Sequence, residues 1–230
     1  MGHIKADHLP DYSYEQAECD NGYVIGVDEA GRGPWAGPVC AAAFWIHPHH
    51  LDNLPATLTD SKKLSAKKRE DIYQFFITSP HLFESHMASV EVIDDIGILQ
   101  ANFQAMSRAI ERLAEQLINT DPLHLAPLGK NQIAAVLIDG NLCPELRYPA
   151  QAVIKGDSRV LSIAAASIIA KQRRDHHMAQ LHEAYPHYGW DSNQGYGTKA
   201  HQAGLEMHGI TPHHRTSFAP IKKHLLSSKT

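Results

Sequence analysis

The chain has 230 residues, of which 43% are hydrophobic, and its formal net charge is -4. This length accommodates one domain with a sizeable core and an appendage. No run of about 18 apolar residues occurs, so we expect no membrane-spanning helix. The polar N-terminus and three widely spaced cysteines predict a cytoplasmic protein with free thiols. The negative charge argues mildly against a nucleic-acid partner, although basic residues cluster locally.

The first predicted strand, Tyr23–Asp28, is apolar and β-branched but ends in two adjacent carboxylates, Asp28 and Glu29. Unpaired buried charges are costly, so a divalent cation is the expected compensation. Because neighbouring strand residues point to opposite faces, both acids can bind one metal site only if the strand ends or bulges there. The glycine-rich loop Gly31–Gly33 supplies conformational freedom directly afterwards. Taken alone, a tight turn with a solvated acidic pair is the alternative.

The remaining elements follow from periodicity and capping residues. Strands are predicted at Pro38–Ile46, His81–Val92, Ile133–Ile138 and Gln151–Ile154, and helices at Ala66–Thr78, Leu99–Ile118, Ser162–Ala184, Lys199–His208 and the C-terminus. The second strand should pair with the first as a hairpin. Residues 1–20 should form a poorly ordered lead-in, and the polar stretch 119–132 should form a loop.

Two later strands are also followed by a carboxylate, Asp139 in one case and Asp157 in the other. If these strands neighbour the first, both acids converge with Asp28 and Glu29. Four like charges at close range need compensation, which two hard cations such as Mn²⁺ or Mg²⁺ provide. Two such metals about 3.5–4 Å apart form a site for in-line phosphoryl transfer.

Asp175 is an alternative fourth acid. On a continuous helix from Asp157 it would lie on nearly the same face, but on the order of 27 Å further along. Both cannot serve one metal pair. We therefore assign Asp157, which is nearer the sheet, and expect Asp175 to pair with basic groups.

Basic and imidazole side chains outside this cluster are less informative. Lys62 and Lys63 precede the predicted helix Ala66–Thr78, a position that suits phosphate contact, although solvated surface lysines are the common alternative. The 17 histidines match no zinc-binding spacing, and we interpret them as surface or hydrogen-bonded residues.

Seven segments, in chain order, together resemble bacterial ribonuclease HII from about residue 20 to residue 220. They are Asp28–Pro34, Asp60–Leu64, Ile138–Asn141, Lys155–Ser158, Ala164–Ile168, Gly195–Thr198 and His214–Phe218. Each motif alone is weak, whereas their combination in this order is highly specific. The stretch 192–194 departs from the family pattern, which has a His-Lys pair there, so no basic contact is implied at that point.

The resemblance implies an α/β fold, with a ribonuclease H-like mixed five-stranded sheet flanked by helices and a small C-terminal helical part. It divides the chain into a lead-in (1–20), a catalytic domain (21–185) and a C-terminal substrate-binding part (186–230). It implies an endonuclease that cleaves RNA in RNA–DNA hybrids and incises 5′ to single ribonucleotides in duplex DNA. Such an enzyme would act as a monomer in ribonucleotide and RNA primer removal.

The resemblance also implies roles for individual residues. The metal-binding and catalytic acids, with Mn²⁺ or Mg²⁺ as the cofactor, would be Asp28, Glu29, Asp139 and Asp157, the last of which is sometimes counted as catalytic rather than as a ligand. The residues that read the ribonucleotide would be Gly31, Arg32, Gly33 and Tyr196. The candidate phosphate contacts would be Lys62, Lys63, Arg215 and Ser217.

Two other functions are alternatives to this one. A junction resolvase or integrase-like nuclease could share the acidic cluster, but the ribose-reading motifs argue against it. A catalytically silent binder of RNA–DNA hybrids would lack one of the four acids, and all four are present.

Overall fold

A computed structural model describes residues 9–119 and 131–227 of the protein. Its centre is a five-stranded sheet in the order β3-β2-β1-β4-β5. The strands are β1 (Tyr23–Ala30), β2 (Val39–Trp45), β3 (Leu82–Ala88), β4 (Ile133–Asp139) and β5 (Ala150–Val153). β1, β2 and β3 pair antiparallel, whereas β4 runs parallel to β1 and to β5. The predicted mixed sheet and its first hairpin are confirmed.

Helices flank the sheet on both faces. They are α1 (Ser13–Glu18), α2 (Ala66–Thr78), α3 (Val90–Asn119), α4 (Leu161–Ala184), α5 (Trp190–Asn193), α6 (Lys199–His208) and α7 (Ala219–Ser227). Ser65 caps α2 as predicted, because its hydroxyl accepts a hydrogen bond from the Lys68 N–H at 3.3 Å. In the part of the chain that the structure describes, no helix has the length and apolarity needed to cross a bilayer.

A different helix packs against each face of β1. Tyr23, Ile25 and Val27 pack in one core with α3. On the other face, α4 approaches so closely that a Cβ at Gly26 would overlap the backbone of Ser162. The fully buried alanines 164–166 at the start of α4 allow the same close packing, as the sequence predicted. β1 is thus held between two helices, and its end is fixed in place.

The third strand is shorter than predicted, and the helix after it begins earlier. β3 ends at Ala88, and α3 begins at Val90. Ser89 explains the difference, because its hydroxyl accepts the Val92 N–H at 3.4 Å and its carbonyl accepts the next N–H at 3.0 Å. Gly97 interrupts α3 with φ 80°, so the predicted helix Leu99–Ile118 corresponds to the part beyond that kink.

From residue 9 onward, the N-terminal segment is not the loose lead-in that the sequence predicted. It contains α1, and Asp11 forms a β-bridge with Val160. Glu15 is buried, and its carboxylate accepts the Ser162 N–H at 2.8 Å, which caps the start of α4. Residues 1–8 and most of the predicted loop 119–132 lie outside the described residues.

The C-terminal part forms a smaller apolar cluster of its own. Tyr188, Trp190, Leu205 and Ile221 pack there against Met178 at the end of α4. Ala36, in the loop after β1, belongs to the same cluster. The loop after the first strand therefore contacts residues from the far end of the chain.

Candidate active site

Three carboxylates converge where β1 and β4 end. The parallel register of these strands places Asp28 beside Asp139. Asp157 lies in the short 3₁₀ helix Gly156–Ser158, which precedes α4. One oxygen from each of the three acids lies within 4.8 Å of the others. Hard divalent cations prefer such oxygen ligands, so these residues fit a metal site.

Backbone N–H groups orient two of the three carboxylates, Asp28 and Asp139. The Gly156 N–H donates to Asp139 Oδ1 at 2.7 Å, and the Asp157 N–H donates to the same atom at 3.4 Å. The Glu29 N–H donates to Asp28 Oδ1 at 2.7 Å. These bonds use one oxygen of Asp28 and one oxygen of Asp139. A Cβ at Gly156 would lie 3.3 Å from Asp139 Oδ1 and would displace the end of the Ile163 side chain, so the missing side chain eases the close approach of this turn to Asp139.

Glu29 lies apart from this trio. β1 pairs regularly with β2 through Ala30, two residues beyond the predicted end of the strand, so the strand neither ends nor bulges at the acidic pair. Glu29 therefore points to the opposite face from Asp28. There its carboxylate lies 3.4 Å from Arg32. Burial raises the pKa of Glu29, and Arg32 and Asn102 oppose that rise. Its charge still acts on Asp28, so it borders the acidic site from the other side of the strand.

The acidic cluster is electrostatically strained without a cation. The pKa of Asp28 is raised well above its ordinary value, first by burial and then by repulsion from Glu29 and Asp139. Burial, reinforced by Asp139 and Asp60, raises the pKa of Asp157 to about 6. Both pKa shifts show that negative charge is unfavourable at this poorly solvated position. A bound divalent cation would reduce the repulsion between the carboxylates.

A cavity of about 330 Å³ opens beside the carboxylates. Its lining combines acids with five basic or aromatic residues, which are Arg32, Lys62, Lys171, Arg174 and Tyr196. Burial alone would lower the pKa of Lys62, but attraction from Asp28 and its neighbouring acids outweighs that effect and raises it. An anionic group entering the cavity would therefore meet cations on one side and metal-binding oxygens on the other.

The loop that carries Lys62 is fixed at both ends. The Lys62 N–H donates to the Asp60 carboxylate at 2.9 Å, and the Ser61 N–H donates to Ser167 Oγ on α4 at 3.3 Å. Arg69 donates to the carbonyl of Ser61 at 3.1 Å. Lys63 is exposed beside this turn. The loop thus presents Lys62 to the cavity from a rigid support.

Arg215 holds the loop after β1 and does not face a phosphate. Its side chain is fully buried, and it donates to the carbonyls of Gly31, Arg32, Gly37 and Pro38 at 2.6–3.1 Å. Burial lowers its pKa to about 9. The expected phosphate contact is therefore corrected, because this guanidinium is committed to the loop backbone.

A second buried arginine, Arg174 of α4, supports the same loop. It donates to the carbonyls of Ala36, Pro38 and Gln194 at 2.9–3.2 Å. A Cβ at Gly31, where φ is 96°, would overlap its side chain. Glycine is required at this position both for the backbone angle and for the close packing.

Ser217 is also engaged within the protein. Its hydroxyl donates to Asp94 Oδ1 at 2.6 Å and its N–H donates to the same atom at 3.0 Å. Thr216 makes the matching pair of bonds to the other oxygen of Asp94. The Ser217 hydroxyl proton therefore points to α3, and the residue anchors the C-terminal segment rather than donating to a phosphate.

Tyr196 stands at the mouth of the cavity. Its side chain is 50% exposed, and a Cβ at Gly33 would lie 3.4 Å from its ring. The ring therefore borders the Gly31–Gly33 loop on one side and open space on the other. The two elements expected to read a ribonucleotide are neighbours in the structure.

Sequence reasoning missed the contribution of α4 to this site. Lys171 and Arg174 belong to a basic cluster that is typical of a solvated helix face. Yet Ser167, Arg174 and Met178 are buried, and with Lys171 their spacing of four, three and four residues marks one stripe facing the site. That spacing was the available signal. Asp175 pairs with Lys171 at 2.6 Å, so its assignment to basic partners is confirmed.

The crowding of carboxylates predicts a stability effect. In EDTA, Asp28→Asn should raise the free energy of unfolding by about 1 kcal/mol, because it removes a repulsive charge while its amide oxygen still accepts the Glu29 N–H. Urea denaturation with and without Mn²⁺ measures this, and Mn²⁺ should stabilise the variant less than the wild type. The exposed Asp71→Asn serves as the control. A less stable Asp28→Asn variant in EDTA would contradict the prediction.

Comparison with known proteins gives consistent relatives. The family model described as Ribonuclease HII matches residues 25–221. Ribonuclease HII of Magnetococcus marinus is 48% identical over 225 residues, covering 95% of this chain and 97% of that protein. Ribonuclease HII of Rhodospirillum rubrum is 49% identical over 222 residues, covering 96% and 94%.

Solved structures are similar in fold. The crystal structure of ribonuclease H2 from Pyrococcus horikoshii OT3 has a TM-score of 0.67 at 21% identity, covering 90% of this chain and 99% of that one. Bst-RNase HIII in complex with Mn²⁺ has a TM-score of 0.71 at 21% identity, covering 99% and 77%.

Proposed function

Because this chain belongs to the ribonuclease HII family and is a ribonuclease H hydrolase, we propose that it incises duplex DNA 5′ to a single embedded ribonucleotide as well as cleaving RNA in RNA–DNA hybrids. In the cell it would serve to remove ribonucleotides and RNA primers from DNA. The single observation that carries this proposal is the shared cavity of Asp28, the Gly31–Gly33 loop and Tyr196. It unites a hydrolytic centre with groups suited to a sugar.

The acids define what the protein contributes to the chemistry. Asp28, Asp139 and Asp157 would hold divalent cations, and Glu29 would contribute from the neighbouring face. Bound Mn²⁺ or Mg²⁺ would activate a water and stabilise the leaving oxygen of the phosphodiester. The Gly156 and Glu29 N–H groups keep the carboxylates oriented for this role.

Substrate recognition would use the opposite side of the cavity. Lys62 lines the cavity near the acids and would contact the phosphate next to the scissile bond, with Lys63 further out. Gly31 and Gly33 leave the backbone of their loop open to close approach by a sugar, and Arg32 lies between them. The 2′-OH is the group by which such a site distinguishes RNA from DNA.

Product mapping tests the reaction. We expect digestion of a duplex with one ribonucleotide to require Mg²⁺ or Mn²⁺ and to leave 5′-phosphate and 3′-hydroxyl ends, because water rather than the ribose 2′-OH is the nucleophile. End-labelled products resolved beside chemical ladders measure this. A 2′,3′-cyclic phosphate, or cleavage in EDTA, would contradict the two-metal mechanism.

Tyr196→Ala should impair incision at a single ribonucleotide by about 10-fold or more, since one stacked aromatic contact contributes on the order of 1–3 kcal/mol. Cleavage of a continuous hybrid should suffer less, because neighbouring ribonucleotides still present 2′-OH groups to the loop. Rates on both substrates, with Tyr196→Phe to isolate the hydroxyl, measure the effect. Equal losses on both substrates would show that Tyr196 does not read the junction.

A further inference from the structure

Two buried histidines lie directly behind Tyr196. His201 of α6 and His214 are 0% and 1% exposed, and their Nε2 atoms are 3.0 Å apart. At that distance one imidazole must donate a hydrogen and the other must accept it. The partners of the remaining ring nitrogens determine which does so.

His214 is the donor of the pair. Its Nδ1 lies 2.9 Å from the Thr211 backbone N–H, a group that can only donate. Burial and the neighbouring His201 lower the pKa of His214 to about 3, so the ring is neutral near pH 7. Its single hydrogen must therefore lie on Nε2, which faces His201.

His201 carries its hydrogen on the other side of its ring. The indole Nε1–H of Trp190, also an obligate donor, lies 3.2 Å from His201 Nε2. That nitrogen therefore accepts from Trp190 and from His214. The hydrogen of His201 is left on Nδ1, which lies 3.0 Å from the backbone carbonyl of Tyr196.

We propose that His214 and His201 form a directional hydrogen-bond pair that positions Tyr196 for reading the ribonucleotide; this rests on the proposed function. The direction is fixed at both ends, from Thr211 through the two rings to Tyr196. The residues that separate the pair along the chain, 202–213, include the rest of α6, so the pair connects two otherwise distinct segments.

The segment around Tyr196 needs such a restraint. Glycines flank the residue on both sides, and Gly195 has φ 81°. The Tyr196 carbonyl accepts one other hydrogen bond, from the Thr198 N–H at 2.8 Å, which belongs to the same short turn. The His201 bond is the one that ties this carbonyl to a helix.

The same C-terminal segment also holds the neighbouring ribose-reading loop. Arg215, directly after His214, donates to the carbonyls of Gly31 and Arg32. Adjacent residues thus act on the two sides of the cavity mouth. The spacing between the Gly31–Gly33 loop and Tyr196 is set by one stretch of backbone.

Two substitutions of His201 distinguish its contact with the Tyr196 carbonyl from its contacts with Trp190 and His214. An asparagine amide can occupy the place of the ring Nδ1–H, and a glutamine amide reaches the place of Nε2. His201→Asn should therefore keep the bond to the Tyr196 carbonyl, whereas His201→Gln should keep contact with His214 and Trp190 but lose Tyr196.

The readout is the ratio of kcat/KM for a duplex with one ribonucleotide to kcat/KM for a continuous hybrid. We expect His201→Gln to lower this ratio about 5- to 10-fold, the effect of one lost hydrogen bond. His201→Asn should stay within about twofold of the wild type, as should the exposed His208→Gln on the same helix. Equal ratios for the Asn and Gln variants would overturn the proposal.

Nitrogen NMR of the wild-type imidazoles tests the pair without any activity. We expect the Nδ1–H form for His201 and the Nε2–H form for His214, and an Nε2–H form for His201 would overturn the proposal even if a variant failed to fold. Wild-type protein that cleaves hybrids but not single-ribonucleotide duplexes would contradict the proposed function and, with it, the role of Tyr196. In that case the NMR measurement of the two histidine tautomers would still test whether the hydrogen-bond pair exists.

Discussion

Asp139→Asn is expected to lower the cleavage rate by at least about 100-fold while leaving duplex binding largely intact. Asparagine keeps the oxygen that accepts the Gly156 N–H, so the turn before α4 should stay in place. What is lost is the negative charge of a residue that would hold a cation. Small errors in the position of an attacking water cost about 10²-fold, because the reaction depends on alignment.

The measurement compares single-turnover cleavage at saturating Mn²⁺ with the affinity for a labelled duplex in Ca²⁺ or EDTA. Asp71→Asn, an exposed charge change on α2, should retain wild-type rates. Wild-type turnover by Asp139→Asn would remove this residue from the site. A loss of binding equal to the loss of rate would assign Asp139 to substrate affinity instead.

Arg215→Ala is expected to lower the free energy of unfolding by about 3–5 kcal/mol and to abolish cleavage. The carbonyls of Gly31, Arg32 and Gly37 lose the Arg215 donor, whereas the Pro38 carbonyl keeps its bond from Arg174. An unpaired buried polar group costs about 1–3 kcal/mol. Removing a desolvated charge and admitting water offset part of that sum. Arg215→Lys should fall in between, because one ammonium cannot reach all four carbonyls.

Urea denaturation in EDTA measures the stability effect without a contribution from bound metal. Arg112→Ala, at an exposed position on α3, is the matched control and should change stability by less than about 0.5 kcal/mol. A stable Arg215→Ala protein with impaired substrate binding would restore the phosphate-contact role that the sequence suggested.

The parts of the fold that depend on local pattern could be predicted from the sequence. The apolar run at its start predicted β1, and Ser65 as an N-cap predicted the start of α2. Asp28 and Asp139 were predicted at the ends of neighbouring strands, and in the structure the parallel register of β1 and β4 places them side by side. Such features depend on residues close together in the chain, where periodicity and capping carry the information.

The features that could not be predicted depend on distant partners. The family resemblance implied that Arg215 contacts a phosphate, and the sequence alone does not show whether an arginine is exposed or buried. Its role became visible only when the carbonyls of the Gly31–Pro38 loop surrounded it. Glu29 is similar, since only the continued pairing of β1 shows that it faces Asn102 rather than Asp157.

The bonds from Arg215 to the Gly31–Pro38 loop affect when the protein can become active during its synthesis. They join residues 177 to 184 positions apart in the chain. A ribosome making this protein from its N-terminus therefore completes the sheet and all four acids long before the residue that holds the Gly31–Pro38 loop emerges. We expect nascent chains ending before His214 to be inert toward nucleic acid, so the nuclease becomes active only after Arg215 has been added and can bind the loop.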